Sequence, residues 1–397
     1  MNEWKKVKLE NCIEEINDRT TKNNQYEVLT SSRSGIYSQE EYFDKQVASK
    51  DNTGYKIIKK GQFTYRSMSD NGSFTINRLE NKDIGIVSPA YPVFEATNIN
   101  PEYLKYFFQS EEFRKAIFNL SQGSTRIALK YRDLANIEIL LPPKEEQIKI
   151  VEILKNMDDI LSVLDLSIEN IIIEKMNIID NTLANSKYIE KTFNQLIEEK
   201  VIEDIVDGNH GELHPKVSDY VDDGIPFVMA NNIHDGLLHI QNCNFLKKEQ
   251  ADKLKKGFSK AGDILLTHKG TIGNVGYVPE KMQYDYVMLT PQVTYYRVNK
   301  SNEILTGKFL YYYLQSSKFQ KKLKLLSMQS TRAYIGITEQ KKLKIRIPKI
   351  EVQEQVCNAL TKIDDKIKLI RCKKQNYEQL KIGLIQQLLT GKIKVKI

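Results

Sequence analysis

An internal repeat constrains this chain more than any other feature, because a long-period repeat decides architecture before single elements can be assigned. At an offset of 206, residues 103–113 lie over residues 309–319 with Leu104/Leu310, Tyr106/Tyr312, Gln109/Gln315, Ser110/Ser316 and Phe113/Phe319 identical. Random pairing gives about one identity in such a window. Without a gap, the same register pairs Ser124-Thr125-Arg126 with Ser330-Thr331-Arg332, Pro142 with Pro348, Gln147 with Gln353, Leu154 with Leu360 and Asp158-Asp159 with Asp364-Asp365. Upstream the offset slips to 201, at Gly61 and Gly262. The two copies therefore differ early and agree late, and each fills about half of the 397 residues, in line with roughly 100–200 residues per folded unit.

The alike regions predict long helices. Ile150, Leu154, Met157, Leu161, Leu164, Ile168, Ile171 and Ile178 fall on heptad positions a and d. In the second copy the a and d positions hold Val356, Leu360, Ile363, Ile367, Ile370, Tyr377, Leu384 and Leu388. Each run starts after proline, with Glu145-Glu146 or Glu351 in the first turn, where the helix dipole favours negative charge. Lys175 and Lys381 share one a position, and a polar a residue fixes register at a cost in stability. An antiparallel pair within one chain is expected, each helix about 50 Å long at about 1.5 Å per residue; a homodimer, or helices packed separately on their own domains, are the other arrangements.

Residues 1–143 and 188–349 read as mixed α/β, with β-type runs at 56–65, 84–94, 263–267 and 293–298. Each closes with an amphipathic helix, capped at Asn100-Pro101 or Thr306, then a Ser-Thr-Arg loop and a strand running into proline. The fold class is thus α+β: domain 1–143, helix 144–187, domain 188–349, helix 350–391 and a basic tail 392–397.

The charge is a modest +8, so its placement matters more than its size. Residues 318–346 hold nine Lys or Arg against the single acid Glu339, and 112–140 hold five against three. Beside a hydroxyl-rich loop such a stripe suits phosphate contacts, although an ordinary solvated helix face explains the lysines equally well. Arg126 and Arg332, repeated at one point, offer planar forks for phosphate or guanine, or else tie the loop down. The candidate DNA-contacting residues are Ser124, Thr125, Arg126 and Lys130 in the first copy and Ser330, Thr331, Arg332 and Tyr334 in the second. Polar loops of the divergent parts add Ser32, Arg33, Arg66, Ser67, Asn71, Asn231, Asn232, His268, Lys269, Thr271 and Asn274, each of which also fits an ordinary turn.

Catalytic signatures are missing. The chain has no Asn/Asp-Pro-Pro-Tyr/Phe quartet, no Gly-rich methyl-donor loop and no GxxxxGK[ST] phosphate loop. Pro279-Glu280-Lys281 lacks a partner acid for a nuclease, and His210-Gly211-Glu212-Leu213-His214 departs from the zinc-protease pattern, with Gly211 and Pro215 breaking any helix. Cys12, Cys243, Cys357 and Cys372 stand far apart, which suggests reduced structural thiols rather than disulfides or zinc. No run of about 18 apolar residues occurs, and the chain opens on charged sequence, so a cytoplasmic protein away from membranes is expected.

Two divergent α/β regions, each followed by a strand, a proline, a Glu/Gln turn and a long helix, carry a resemblance. Leu140-Leu141-Pro142-Pro143-Lys144-Glu145-Glu146-Gln147 and Ile347-Pro348-Lys349-Ile350-Glu351-Val352-Gln353-Glu354-Gln355 are the defining phrases, supported by Gly262–Leu266, Gly270–Gly273 and Leu384–Gly391. Over its whole length the chain resembles a specificity subunit of a type I restriction–modification system. It departs in Gly61-Gln62-Phe63-Thr64, where the second copy has Gly262-Asp263-Ile264-Leu265. The resemblance implies two target recognition domains on an antiparallel helical spacer, binding double-stranded DNA at a bipartite target. It also implies two methyltransferase subunits and two motor-nuclease restriction subunits as partners. Catalysis, with S-adenosylmethionine, ATP and Mg2+, then belongs to those subunits, and this chain holds no cofactor, metal or catalytic residue. A stand-alone DNA-modifying enzyme and a coiled-coil adaptor without DNA specificity are the alternatives.

Overall fold

The computed structural model describes residues 4–43, 49–69, 72–120, 127–211, 213–328 and 334–396. The chain divides into two compact units, residues 1–165 with 371–397, and residues 166–370. Each unit therefore combines one α/β domain with part of both long helices.

In the first unit a four-stranded antiparallel sheet runs in the order Ile13–Glu15, Val93–Ala96, Phe63–Thr64, Asn77–Arg78. In the second the order is Ile202–Asp207, Val293–Val298, Ile264–Lys269, Thr271–Tyr277. The order matches strand for strand. Lys5–Lys8 pairs with Glu138–Leu141 in one unit, and Tyr188–Thr192 pairs with Lys344–Pro348 in the other. What differs is what is added. The first unit carries the hairpin Leu29–Ser32/Gly35–Ser38 and the pair Lys56–Lys59/Ile84–Val87. The second carries a separate five-stranded sheet of Tyr220–Val221, Asn244–Leu246, Ile225–Val228, Val287–Leu289 and Phe258–Ser259. The β-type runs 56–65 and 84–94 are each broken into two strands; in the first, the break is a turn at Gly61, whose φ of +91° is readily adopted only without a Cβ.

Among the described residues, the repeated Asn100/Thr306, Ser110/Ser316 and Gln147/Gln353 places belong to the frame. The single amphipathic helix expected in each copy is two: Pro101–Phe107 with Glu111–Leu120, and Gly307–Gln315 with Ser317–Ser327. Asn100 and Thr306 cap the first of each pair through their side-chain oxygens. Ser110 and Ser316 sit at the breaks, and their hydroxyls accept from the amides of Phe113 and Phe319. That local bond offers the backbone an alternative to continuing one helix. Gln147 and Gln353, both buried, accept from the amides of Asn100 and Thr306 and donate to the carbonyls of Pro142 and Pro348. They tie the start of each long helix to its domain. An ion pair recurs as well, Glu15 with Lys56 and Asp207 with Lys256, at the ends of matching strands.

The long helices span Lys144–Asn185 and Ile350–Leu389, 42 and 40 residues, about 60 Å each at about 1.5 Å per residue and longer than expected. They run antiparallel. In the first unit Asp158 pairs with Lys381 and Asp165 with Lys374; in the second Asp364 pairs with Lys175. Partner numbers add to 539 each time, which defines one register. Ile150 and Leu154 pack with Ile385 and Leu388 in the first core; Val356 and Leu360 pack with Ile179 and Leu183 in the second. Lys175 is only 7% exposed, as a polar a position requires.

Candidate nucleic-acid interface

In the first unit the hairpin turn after Leu29–Ser32 and the loop after Phe63–Thr64 bring Arg33 and Arg66 to one cleft of about 470 Å³, lined also by Tyr42, Ser73, Phe74, Thr75 and Tyr91. A larger cleft of about 710 Å³ shares Arg33, Ser73, Phe74 and Thr75 and continues to Lys105, Gln109 and Arg114. The cations of these walls differ in availability. Arg78 is held by Glu102 and the Gly61 carbonyl, Lys105 by Glu80, and Arg114 by the Gln109 carbonyl. Arg33 and Arg66 are exposed and make no ion pair among the described residues. A guanidinium with unfilled donors beside hydroxyls and aromatic faces can bind phosphate or a base edge.

The other first-copy candidates are placed as follows. Ser32 spends its hydroxyl on the Gly35 carbonyl within the hairpin turn, and the Ser67 carbonyl accepts from the Leu129 amide beside the pairing of Met68–Ser69 with Ile127–Ala128. Lys130 is exposed at the start of the helix Tyr131–Ala135. Asn71, Ser124, Thr125 and Arg126 lie outside the described residues, as do Ser330, Thr331 and Arg332 in the second copy.

In the second unit the tip of Ile264–Lys269/Thr271–Tyr277 turns at Gly270 with a φ of +79° and leaves Lys269 and Thr271 exposed. Lys269 forms a β-bridge with Tyr334, which is 44% exposed, so residues 65 apart in sequence share one edge. The helix Ser317–Ser327 rests on the neighbouring strand through Gln320, whose amide donates to the Gly273 carbonyl at 2.9 Å. Between them lies a cleft of about 410 Å³ lined by Lys321, Lys324, Ser317 and Ser327. Asn231 is exposed.

Three candidates make their contacts inside the domain. Asn232, 4% exposed, accepts from the Met229 amide and donates to the Asn242 carbonyl. Asn274 donates to the Ile233 carbonyl. His268, 1% exposed, places its ring nitrogens 3.0 and 3.1 Å from the Ile335 and Pro291 carbonyls. The atoms named are engaged inside the domain, because a buried backbone group needs a partner and these side chains supply it. Burial lowers the His268 pKa, against two carbonyls that favour the charged ring. The unfolded chain then binds the extra proton more readily, so the second domain should lose stability as pH falls from about 6.5 toward the lower folded value. Unfolding midpoints of the wild type and His268→Gln across pH 5–8 check this; parallel pH profiles would refute it.

The basic stripe divides on folding. Lys344 and Arg346 face Glu190 on the paired strand, and Lys342 faces Glu339. Lys318, Lys321 and Lys324, on the helix Ser317–Ser327, make no ion pair among the described residues. Sequence reasoning missed the wall residues Tyr42, Phe74, Thr75 and Tyr91 of the first unit; no local pattern marks them, since three separate segments bring them together. Near His210, the Asp207 carboxylate takes both Lys256 and His210. No group of three metal-ligating side chains occurs among the described residues, and no helix there is long and apolar enough to cross a membrane.

Residues 1–171 and 194–379 match the family described as type I restriction modification DNA specificity domain. Among curated proteins, the chain is 27% identical to the type I restriction enzyme MjaVIII specificity subunit of Methanocaldococcus jannaschii, over 79% of this chain and 75% of that one. It is 24% identical to the putative type I restriction enzyme MjaX specificity subunit of the same organism, over 75% and 69%. A chain from a solved structure on complex assembly and conformational transition of the type I R-M system has the same fold, with a TM-score of 0.57, 15% identity and 99% of both chains covered.

Proposed function

This chain belongs to the type I restriction modification DNA specificity family, and from that premise we propose that it reads a bipartite sequence in double-stranded DNA, one half per α/β domain. The observation that carries the reading is the division between frame and loops. Matching strands, caps and buried glutamines recur in both units, whereas the cationic clefts at Arg33/Arg66 and at Lys321/Lys324 are built from unlike residues. Like frames with unlike surfaces suit two readers of different short sequences. Phosphate contacts by exposed lysines position such a domain, and arginine, serine and threonine near base edges specify.

The chain itself is the non-catalytic specificity subunit in this reading. Two methyltransferase subunits and two restriction subunits dock on it, and S-adenosylmethionine, ATP and Mg2+ act there. The paired helices set the number of unspecified base pairs between the two halves, so lengthening both together widens that gap. The site of action is the cytoplasm, where the DNA is.

Mapping methylated adenines in a host carrying the complete system tests this. A two-part motif with an unspecified centre is expected, and exchanging residues 1–143 for another such domain should change one half only. A change in both halves would refute independent reading. For contacts, Lys321→Ala with Lys324→Ala should weaken binding about equally across sequences and reduce the salt slope by about 0.9 for each lost phosphate contact. An unchanged slope would remove these lysines from the interface.

A further inference from the structure

Asp158 and Asp364 each gather three separate elements at one carboxylate. In the first unit Asp158, on the first long helix, accepts from the Tyr106 hydroxyl at 2.7 Å and from the Lys381 ammonium. Tyr106 belongs to the domain helix Pro101–Phe107, and Lys381 to the second long helix. In the second unit the helices exchange roles. Asp364 is on the second long helix and accepts from the Tyr312 hydroxyl at 2.8 Å and from Lys175 of the first helix at 2.6 Å. Each ammonium also lies against the ring of its tyrosine, 5.6 Å from the Tyr106 centroid and 5.0 Å from that of Tyr312. Both tyrosines are nearly inaccessible, 2% and 1% exposed.

An apolar seam alone controls such a junction loosely, since neighbouring aliphatic side chains exchange contacts with small changes in energy. Charges under low exposure do not. A one-residue slide of either helix displaces a side chain by about 1.5 Å along the axis and about 100° around it, which takes the ammonium off the carboxylate and the ring. The tyrosine adds the decisive element, because it belongs to neither long helix. We infer that Asp158 and Asp364 are positioning residues, each fixing the height and angle of one recognition domain on the helix pair, and that the two tyrosines are their handles. The consequence for DNA rests on the reading given above: the gap between half-sites is held to one length by these two junctions as well as by helix length.

The test uses the full chain with Tyr106→Phe and Tyr312→Phe together, which keeps both rings and both Lys–Asp pairs and removes the domain-to-carboxylate bonds and, at Tyr312, a 3.3 Å contact with the Thr361 hydroxyl. On the chain alone, amide exchange should rise about tenfold in the helices 101–107 and 307–315 and stay unchanged in the central sheet strands, a local rather than global opening. In the assembled complex, a library of duplexes carrying both half-sites at every gap length should show the second effect. The wild type should prefer one gap over its neighbours by about tenfold or more, while the variant should accept gaps one base pair shorter or longer within about threefold, with the same bases read. Asp158→Asn with Asp364→Asn retains an acceptor for each tyrosine and should hold the gap more tightly than the phenylalanine pair. A variant that keeps strict gap selection and only melts earlier would make the carboxylates ordinary stabilisers and overturn the inference. If the wild-type complex selects no duplex, the specificity reading fails, and the exchange pattern alone then decides the junction.

Discussion

Asp364→Ala should destabilise the second unit by about 3–5 kcal/mol, because it takes the carboxylate away from the ammonium of Lys175, which is only 7% exposed and lies 3.2 Å from the neutral Gln315 amide oxygen. Denaturant unfolding measures the loss. Removing both charges, with Lys175→Met and Asp364→Leu, should recover most of it, since a buried pair rarely outperforms well-packed aliphatic side chains. The contrast lies at Asp165 and Lys374, whose side chains are 49% and 28% exposed; there alanine should cost about 0–1 kcal/mol. Equal losses at the two places would mean that exposure does not control these pairs.

Arg297→Met should produce a loss of similar size, about 3–5 kcal/mol, through the opposite charge. Asp263 is 2% exposed, and Arg297 donates to both of its oxygens, at 2.9 and 2.7 Å. The same carboxylate accepts from the Ser259 hydroxyl and the Lys260 amide. Taking away the guanidinium leaves a buried anion with neutral donors only. Thermal unfolding compared with Arg297→Lys separates charge from geometry: lysine should restore part of the stability but cannot make the forked contact. If methionine were tolerated as well as lysine, the pair would be contributing packing alone.

This second site also explains where the two copies part company. Gln62 stands where Asp263 stands, and its amide oxygen accepts from the Lys59 amide at 2.8 Å, as Asp263 accepts from Lys260. The turn is therefore preserved. The charge partner is not: Gln62 donates to Glu95, an acid, so a carboxylate at position 62 would face another carboxylate. Aspartate belongs with Arg297 and glutamine with Glu95.

Much of the architecture could be read from residues alone because it depends on periodicity and on repetition. Of the a and d positions, Ile150, Leu154, Met157, Ile168, Ile171, Val356, Leu360, Ile367 and Leu388 are buried, the others half-buried, and the antiparallel pairing expected of two similar helices separated by a whole domain is the one found. The repeated Tyr, Gln, Ser and Asp residues were visible as identities, but their roles as handle, tether, cap and junction required coordinates.

The candidate interface was less legible. His268, Asn232 and Asn274 have the chemistry of base-reading side chains and read as polar loops in the sequence, yet His268 and Asn274 lie on strands and the domain uses all three to satisfy its own backbone. Nothing in a loop's composition distinguishes a side chain that turns inward from one that faces solvent. The basic stripe shows the same limit, since Glu190 lies more than 150 residues before Lys344 and Arg346 and meets them only through strand pairing.

The sequence by itself determined the duplicated plan and the two long helices, because spacing along one chain encodes which face of a helix is apolar and where its charges fall. Only the tertiary structure decided which polar groups remain available to a ligand. Availability depends on partners brought from distant segments, and a hydrogen bond or ion pair formed across the fold leaves no mark on the local sequence of either participant.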